Sequence, residues 1–471
     1  MDSPTEVLSE YIAKAEFGDI PDAVVEKAKD ITLDLVGCAL GGSVLEPGKI
    51  IMDYFTELQG RPEASIFATG EKLPCIHAAY VNSYLTNLLD FDDTSSSPPA
   101  HPGATIVPVG LALAEKIKAS GKDFITAIVI AYEAWGRIGQ AITPSPQRMT
   151  NVRGLSTHQI FGAAIASSKL LKFDTKQTAN ALGLAGVSAP VPNARKIGLD
   201  DRPLSWTKHN YGWASMGGIL AALLTEKGFR GNKHILDGER GFWIMAGSDR
   251  CDFEKITRNL GIEYLISDIA FKPYACCRWT HAGLDATASI MAKHEIDVSG
   301  IKHIRVQTFS EAVKAISVTN PASILDAQFS LPHLIALELL GKSPQKGLFD
   351  NNLSEPSIRS LAEKVSLELH PEIEERFRQD NSFRSAIVSI EQTDGSQFSE
   401  RVDKPRWEPE NRPTKEELRR KFAHLTVPII GNIASQATIY NIEKLEELED
   451  VSIIISEINH ISKRLKTKGA Y

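Results

Sequence analysis

The chain has 471 residues, with 52 Lys and Arg against 59 Asp and Glu, which gives a formal charge of −7 with histidine neutral. Hydrophobic residues make up 42% and charged residues 24%. That balance is globular, excludes a disordered chain, and argues with the mild acidity against a nucleic-acid partner. The length predicts a large core divided among roughly two to four domains. No apolar stretch approaches the ~18–20 residues that span a bilayer, so no membrane is expected. The opening residues lack a basic n-region and an apolar h-region, which speaks against a signal peptide. Five cysteines, Cys38, Cys75, Cys251, Cys276 and Cys277, contain no C-x-x-C pair. They point to reduced thiols, a cytoplasmic location and no iron–sulfur cluster.

The first half reads as helices. Ser3 with Glu6 predicts a capping box for a helix reaching about Phe17. Pro21 opens a second helix, in which Val24, Ala28, Ile31 and Leu35 recur at helical spacing, and Gly41-Gly42 is expected to end it. Further helices are predicted over 77–89, 105–119, 123–141, 159–171, 175–185 and 211–227. Many are Ala-rich with few charges, as helices packed on several sides are. Near residue 266 the texture changes. Ile304, Val306 and Thr308 alternate, as do Val365, Leu367 and Leu369, and strands over 387–393 and 397–402 flank the turn Asp394-Gly395. Helices over 281–293 and 325–340 lie between them. After Pro405 and Pro413, stretches 414–422 and 442–461 return to helix. The expected fold is mainly α: an all-helical domain over 1–265, a smaller α+β domain over 266–405, and a helical segment over 406–471.

Five segments could carry chemistry. Asp90-Phe91-Asp92-Asp93-Thr94 followed by His101-Pro102-Gly103-Ala104 puts three carboxylates within four residues, which repel unless offset. It reads as helix-end capping, as a proton-transferring His101 oriented by a carboxylate, or, less favoured, as a metal site of Asp90, Asp93 and His101. Lys208-His209 precedes an Ala/Gly-rich helix, a setting that suits an anion. Lys272, Arg278 and His281 cluster in an otherwise apolar and aromatic stretch at the domain junction, where ligand sites concentrate. His158 and His333 each sit at the mouth of a helix, where a histidine is more often a structural hydrogen-bonder. No Walker-type loop and no G-x-G-x-x-G after a strand occurs, so nucleotide dependence has no support. A basic pocket with histidines suits a small di- or tricarboxylate and acid–base chemistry.

Taken in order, D-F-D-D-T (90–94), H-P-G-A (101–104), F-G-A-A (161–164), K-L-L (169–171), A-L-G-L-A-G (181–186), K-H-x-x-G (208–212), K-x-Y-x-C-C (272–277) and A-Q-F-S-L-P (327–332) resemble the MmgE/PrpD family over about residues 5–440. That family includes 2-methylcitrate dehydratases, cis-aconitate decarboxylases and iminodisuccinate epimerases. The resemblance implies a large helical domain, an α+β lid, a homodimer, and catalysis without metal or organic cofactor. It places Asp90, Thr94, His101, Lys208 and Lys272 among active-site groups. Where many members carry Gly-aromatic-His, this chain has Gly154-Leu155-Ser156 with His158 beyond, and the tyrosine that commonly follows S-L-P is His333.

The resulting expectation is a lyase acting on a citrate-like or aconitate-like polycarboxylate. Lys208, Lys272 and Arg278 bind carboxylates, with Thr94 and His333 beside them. His101 and His158 form the acid–base pair, and Asp90 or Asp93 orients His101. Dehydration of a 2-methylcitrate-type substrate is placed first, because the histidine pattern at 154–158 is nearer that branch. Decarboxylation of cis-aconitate, epimerisation of a dicarboxylate and a non-catalytic binding role follow.

Overall fold

The computed structural model describes residues 3–149, 151–153, 157–194, 202–206, 210–346, 353 and 355–466. Among the described residues, nine longer helices build the first domain: α1 (Pro4–Lys14), α2 (Asp22–Ser43), α3 (Glu46–Leu58), α4 (Cys75–Asn87), α5 (Gly103–Ile117), α6 (Gly121–Ala141), α7 (Gln159–Leu170), α8 (Thr175–Val187) and α9 (Tyr211–Glu226). Their ends follow local chemistry. Ser3 Oγ accepts from Glu6 N at 3.2 Å, and Asp174 and Gln177 satisfy each other's backbone N–H groups in a capping box. α5 and α6 are almost wholly buried, which explains their lack of a polar stripe. A short hairpin, β1 (Ser95–Ser96) with β2 (Pro99–Ala100), lies between α4 and α5.

The second domain contains α10 (His281–Lys293) and a four-stranded sheet of β3 (Ile301–Thr308), β4 (Val365–Leu369), β5 (Ala386–Gln392) and β6 (Gln397–Val402). The strand order is β6-β5-β3-β4, and only the β3–β4 pair is parallel. Ile304 pairs with Val365 on one side and Ile390 on the other, so alternate residues meet in one apolar layer. α10 and α11 (Leu331–Leu339) pack against each other in this domain's core. The chain then returns: α12 (Lys415–Glu443) lies along α2, and α13 (Ser452–Lys466) packs on α12. The structure is mostly helical, 58%, with a small sheet domain. No single described helix is long and apolar enough to cross a membrane.

Three expectations about element ends differ from what forms. α2 continues through Gly41-Gly42 to Ser43, because a Cβ at Gly42 would stand 2.0 Å from the Leu85 carbonyl oxygen. Gly42 lets α2 and α4 approach each other rather than stopping the helix. The helix expected over 325–340 is split into Ile324–Ala327 and α11, because Ser330 Oγ accepts from His333 N at 3.1 Å and starts a new helix with Pro332 in its first turn. α12 runs far beyond residue 422, passing Pro428 and kinking at Gly431, where φ is +79°.

The domains join at a narrow seam. Thr94 and Ala270 exchange two backbone hydrogen bonds of 2.9 Å, and the side-chain amide of Gln328 donates through Nε2 to the Leu88 carbonyl at 2.9 Å. Because the α2–α4 contact has no room for a methyl group, Gly42→Ala is expected to cost about 1–3 kcal/mol, measured as a lowered midpoint of chemical or thermal unfolding.

Candidate active site

The site grows from the end of α4. Asp90 N donates to Asn87 O at 2.9 Å, and Asp90 itself takes a left-handed backbone, φ +49°. An aspartate tolerates that conformation better than most residues do. The turn sends the chain into an extended run whose carboxylates are almost fully buried: Asp90 is 1% exposed, and Asp92 and Asp93 are 0%. The β1–β2 hairpin then returns His101 to the same place, just ahead of α5.

His101 Nδ1 lies 2.9 Å from the Asp93 carbonyl oxygen. A carbonyl only accepts, so Nδ1 carries the hydrogen and Nε2 is the ring's other functional nitrogen. Nε2 lies 3.9 Å from Asp90 Oδ1, and Nδ1 lies 3.5 Å from Asp92 Oδ2. The Lys272 ammonium, with no exposed surface, donates to the Asp90 carbonyl at 2.7 Å and to Asp90 Oδ1 at 3.0 Å. Burial works against that charge, but Asp90 and Asp92 outweigh it and hold the lysine above its ordinary pKa. Lys272 is therefore a fixed cation and not a base.

The structure gives Asp93 a different task from the one expected. Its side chain does not orient His101; its carbonyl does. Asp93 Oδ1 accepts from Gly103 N at 3.0 Å, at the start of α5, and Oδ2 accepts from Tyr132 Oη at 2.7 Å. Burial, with Asp92 nearby, pushes this carboxyl up to about 7. The carboxylate that does face the ring is Asp92, held by Asn87 Nδ2 at 3.0 Å from both of its oxygens. Sequence reasoning passed over Asp92, Asn87 and Tyr211. The available signal was the D-F-D-D run itself, which marks all three carboxylates without ranking them.

Thr94 is tied to Ala270 through its backbone, and its buried hydroxyl has no hydrogen-bond partner. Tyr211 opens α9 with its ring 6.2 Å from that of His101. Burial and the neighbouring aspartates raise its pKa well above the ordinary value, so it stays a phenol. A pocket lined by Ser83, Tyr84, Asn87, Leu88, Trp206, Tyr211 and Leu325 borders this group, with Leu325 coming from the second domain.

The other expected site residues that are described have contacts of their own. His158 is buried and stacks on Trp135 at 5.4 Å, and its Nε2 lies over Gly139 next to Pro98 at the hairpin turn. Arg278 donates to Glu408, the Phe271 carbonyl, His281 Nδ1 and the Arg406 carbonyl, so its guanidinium braces the protein instead of facing the cluster. His281 Nδ1 accepts from Arg278 while Nε2 lies 3.2 Å from Cys276 O; burial and the nearby Arg278 and Lys272 keep it neutral. His333 is buried in the first turn of α11, lowered to about 4 by burial, and makes no hydrogen bond, ion pair or ring contact with the cluster. Lys208, His209, Leu155 and Ser156 lie outside the described residues.

Asp90, Asp92 and His101 offer ligand atoms within 4.8 Å of one another, a spacing a metal ion could use. The Lys272 ammonium on Asp90 already supplies positive charge there. Lone-pair donors, a fixed cation and a ring nitrogen beside a pocket form a constellation suited to moving a proton on an anionic ligand.

Residues 6–253 match the MmgE/PrpD N-terminal domain and residues 274–447 the MmgE/PrpD C-terminal domain. The chain belongs to the MmgE/PrpD family. Among its relatives, a cis-aconitate decarboxylase of Aspergillus terreus is 27% identical over 472 residues, covering 94% of this chain and 93% of the relative. The cis-aconitate decarboxylase of Homo sapiens is 27% identical over 470 residues, covering 96% and 94%, and that of Mus musculus is 27% identical over 468 residues, covering 96% and 92%.

The Asp93 carboxyl makes a testable contribution to stability. Its folded pKa of about 7 lies above the unfolded value of about 3.9, so the folded state holds the proton more tightly. That contribution is present in acid and is lost as pH rises through the folded pKa. Thermal midpoints of the wild type are therefore expected to fall relative to Asp93→Asn between about pH 4 and 7 and to run parallel above that.

Proposed function

We propose that the chain is a lyase that releases CO₂ from a small unsaturated polycarboxylate of the cis-aconitate type. The observation that carries this reading is the buried Asp90–Asp92–His101–Lys272 group beside a pocket between the two domains. Similarity to cis-aconitate decarboxylases over nearly the whole chain supports decarboxylation, and the 2-methylcitrate dehydration placed first on sequence grounds yields to it.

Decarboxylation breaks a C–C bond and leaves the electron pair on the substrate's carbon framework. A proton then forms the new C–H bond. The protein must supply that proton and stabilise the negative charge as it develops. His101 suits the first task. With Nδ1–H fixed on the Asp93 carbonyl, Nε2 is the nitrogen that presents a proton. The resulting imidazolium sits against Asp90 and Asp92, so two anions and two cations balance before transfer. Lys272 stays charged throughout. The unspent Thr94 hydroxyl and the Tyr211 phenol give neutral polar groups near a substrate carboxylate. Lys208 is proposed as a further carboxylate-binding cation. A homodimer and a cytoplasmic location belong to the same reading.

Incubation of purified protein with cis-aconitate is expected to release CO₂ stoichiometrically with substrate loss. Failure to release CO₂ from it or from any small unsaturated polycarboxylate would overturn the proposal. His101→Ala is expected to lower kcat at least ~10²-fold, and a variant with wild-type kcat would remove His101 as the acid. A chelator is expected to leave the rate unchanged. A loss restored by a divalent ion would instead assign Asp90, Asp92 and His101 to a metal.

A further inference from the structure

The C-terminal segment reaches into the site through one side chain. Lys421, on α12, is 4% exposed. Its ammonium lies 2.6 Å from Asp34 Oδ1 of α2, donates to the Phe91 carbonyl at 2.7 Å, and stands 3.9 Å over the Phe91 ring. Phe91 is the residue between the two carboxylates that face His101. Its carbonyl follows that of Asp90, which Lys272 holds from the other domain. Two consecutive carbonyls are thus each gripped by a different buried ammonium.

A buried ion pair is weak ground for stability, since apolar residues of similar volume often serve as well or better. What apolar residues cannot do is fix the orientation of a peptide unit. Without a donor on the Phe91 oxygen, the peptide between Phe91 and Asp92 loses one of the contacts that fix its orientation, leaving Asn87 to hold the Asp92 carboxylate. Rotation of that peptide would swing the Asp92 carboxylate relative to the ring it faces at 3.5 Å. Lys421 touches neither His101 nor the pocket lining, so its influence is indirect.

We infer that Lys421, anchored by Asp34, is a positioning residue that sets the Asp90–Phe91–Asp92 backbone so that both carboxylates address His101. The inference rests on the reading of that cluster as the catalytic centre. The test uses the full-length protein. Lys421→Met alone would leave Asp34 as an uncompensated buried charge, so the main variant is the double Asp34→Asn/Lys421→Met. Its kcat on cis-aconitate is expected to fall about 10²-fold with KM changed far less, and its pH–rate profile to shift. Lys421→Arg, which keeps the charge and its N–H donors, is expected to recover at least ~10-fold of that loss.

The ring ¹⁵N shifts of His101, followed by NMR in histidine-labelled protein, are expected to change in the double variant and, to a smaller extent, in Asp34→Asn alone. A double variant with wild-type kcat, pH profile and His101 shifts would overturn the inference. So would an activity loss that vanishes once corrected for the folded fraction. If the double variant does not fold, unchanged His101 shifts in Asp34→Asn overturn it and altered shifts support it. These shifts need no turnover, so they separate this inference from the lyase reading: a wild type inert toward cis-aconitate defeats the latter alone.

Discussion

Lys272 places a full positive charge where no water reaches it, and the seam between the domains is arranged around making that tolerable. Removing an ammonium from water is costly unless a counter-charge and acceptors replace the lost hydration. Asp90 supplies both, through its carboxylate and its own carbonyl. The comparison with Lys27 shows what the carboxylate contributes. Lys27 is also buried, donates to the Ile269 carbonyl at 2.6 Å and lies 4.0 Å over the Phe271 ring, but no carboxylate touches it. Burial and the nearby Arg412 push it down to about 7. Lys272 goes the opposite way and stays charged. The pair that secures this charge also joins the loop after α4 to the strand-like segment entering the second domain. Domain placement and site electrostatics are therefore one constraint rather than two.

Much of the fold was legible because it follows from spacing. The helical periods of the first half, the alternation at Ile304–Thr308 and the turn at Asp394-Gly395 all correspond to elements that form. Errors came where a residue's usual meaning was local and its actual use was tertiary. Gly42 looked like a stop and is a close approach; the helix expected over 414–422 runs on past Pro428 and kinks at Gly431. The site divides the same way. Asp90, His101 and Lys272 stood out as chemistry in unusual company, and the structure gathers them. Asp90 or Asp93 was expected to orient His101, but the backbone turns the Asp93 side chain to Gly103 and Tyr132 and leaves Asp92 beside the ring. Arg278 looked like a free cation, yet its guanidinium is used up in bracing Glu408 and three other groups. Lys421 sits in an ordinary amphipathic sequence and nothing nearby marks it.

A net charge of −7 is no obstacle to the anionic substrate proposed above, because the cations at the seam are buried and local. Net charge describes the outer surface and its solubility. The local field near His101 is set by a few buried groups whose signs nearly cancel, so a small displacement of one carboxylate changes that field strongly. Such a site demands rigid backbone, and the buried lysines supply it by binding carbonyls instead of waiting in solvent.

The grip of Lys421 on Phe91 spans 330 positions of the chain. During synthesis the helical domain emerges long before α12 exists, and domains generally fold as they appear. At that stage the Asp90–Thr94 loop lacks both Lys272 and Lys421, and Asp34 is a buried carboxylate without its counter-ion. Lys272 reaches Asp90 once the second domain forms, but Asp34 and the Phe91 carbonyl wait for α12. The two neighbouring carbonyls of the loop are therefore secured at different times during synthesis, the first by the second domain and the second by the helix that follows it.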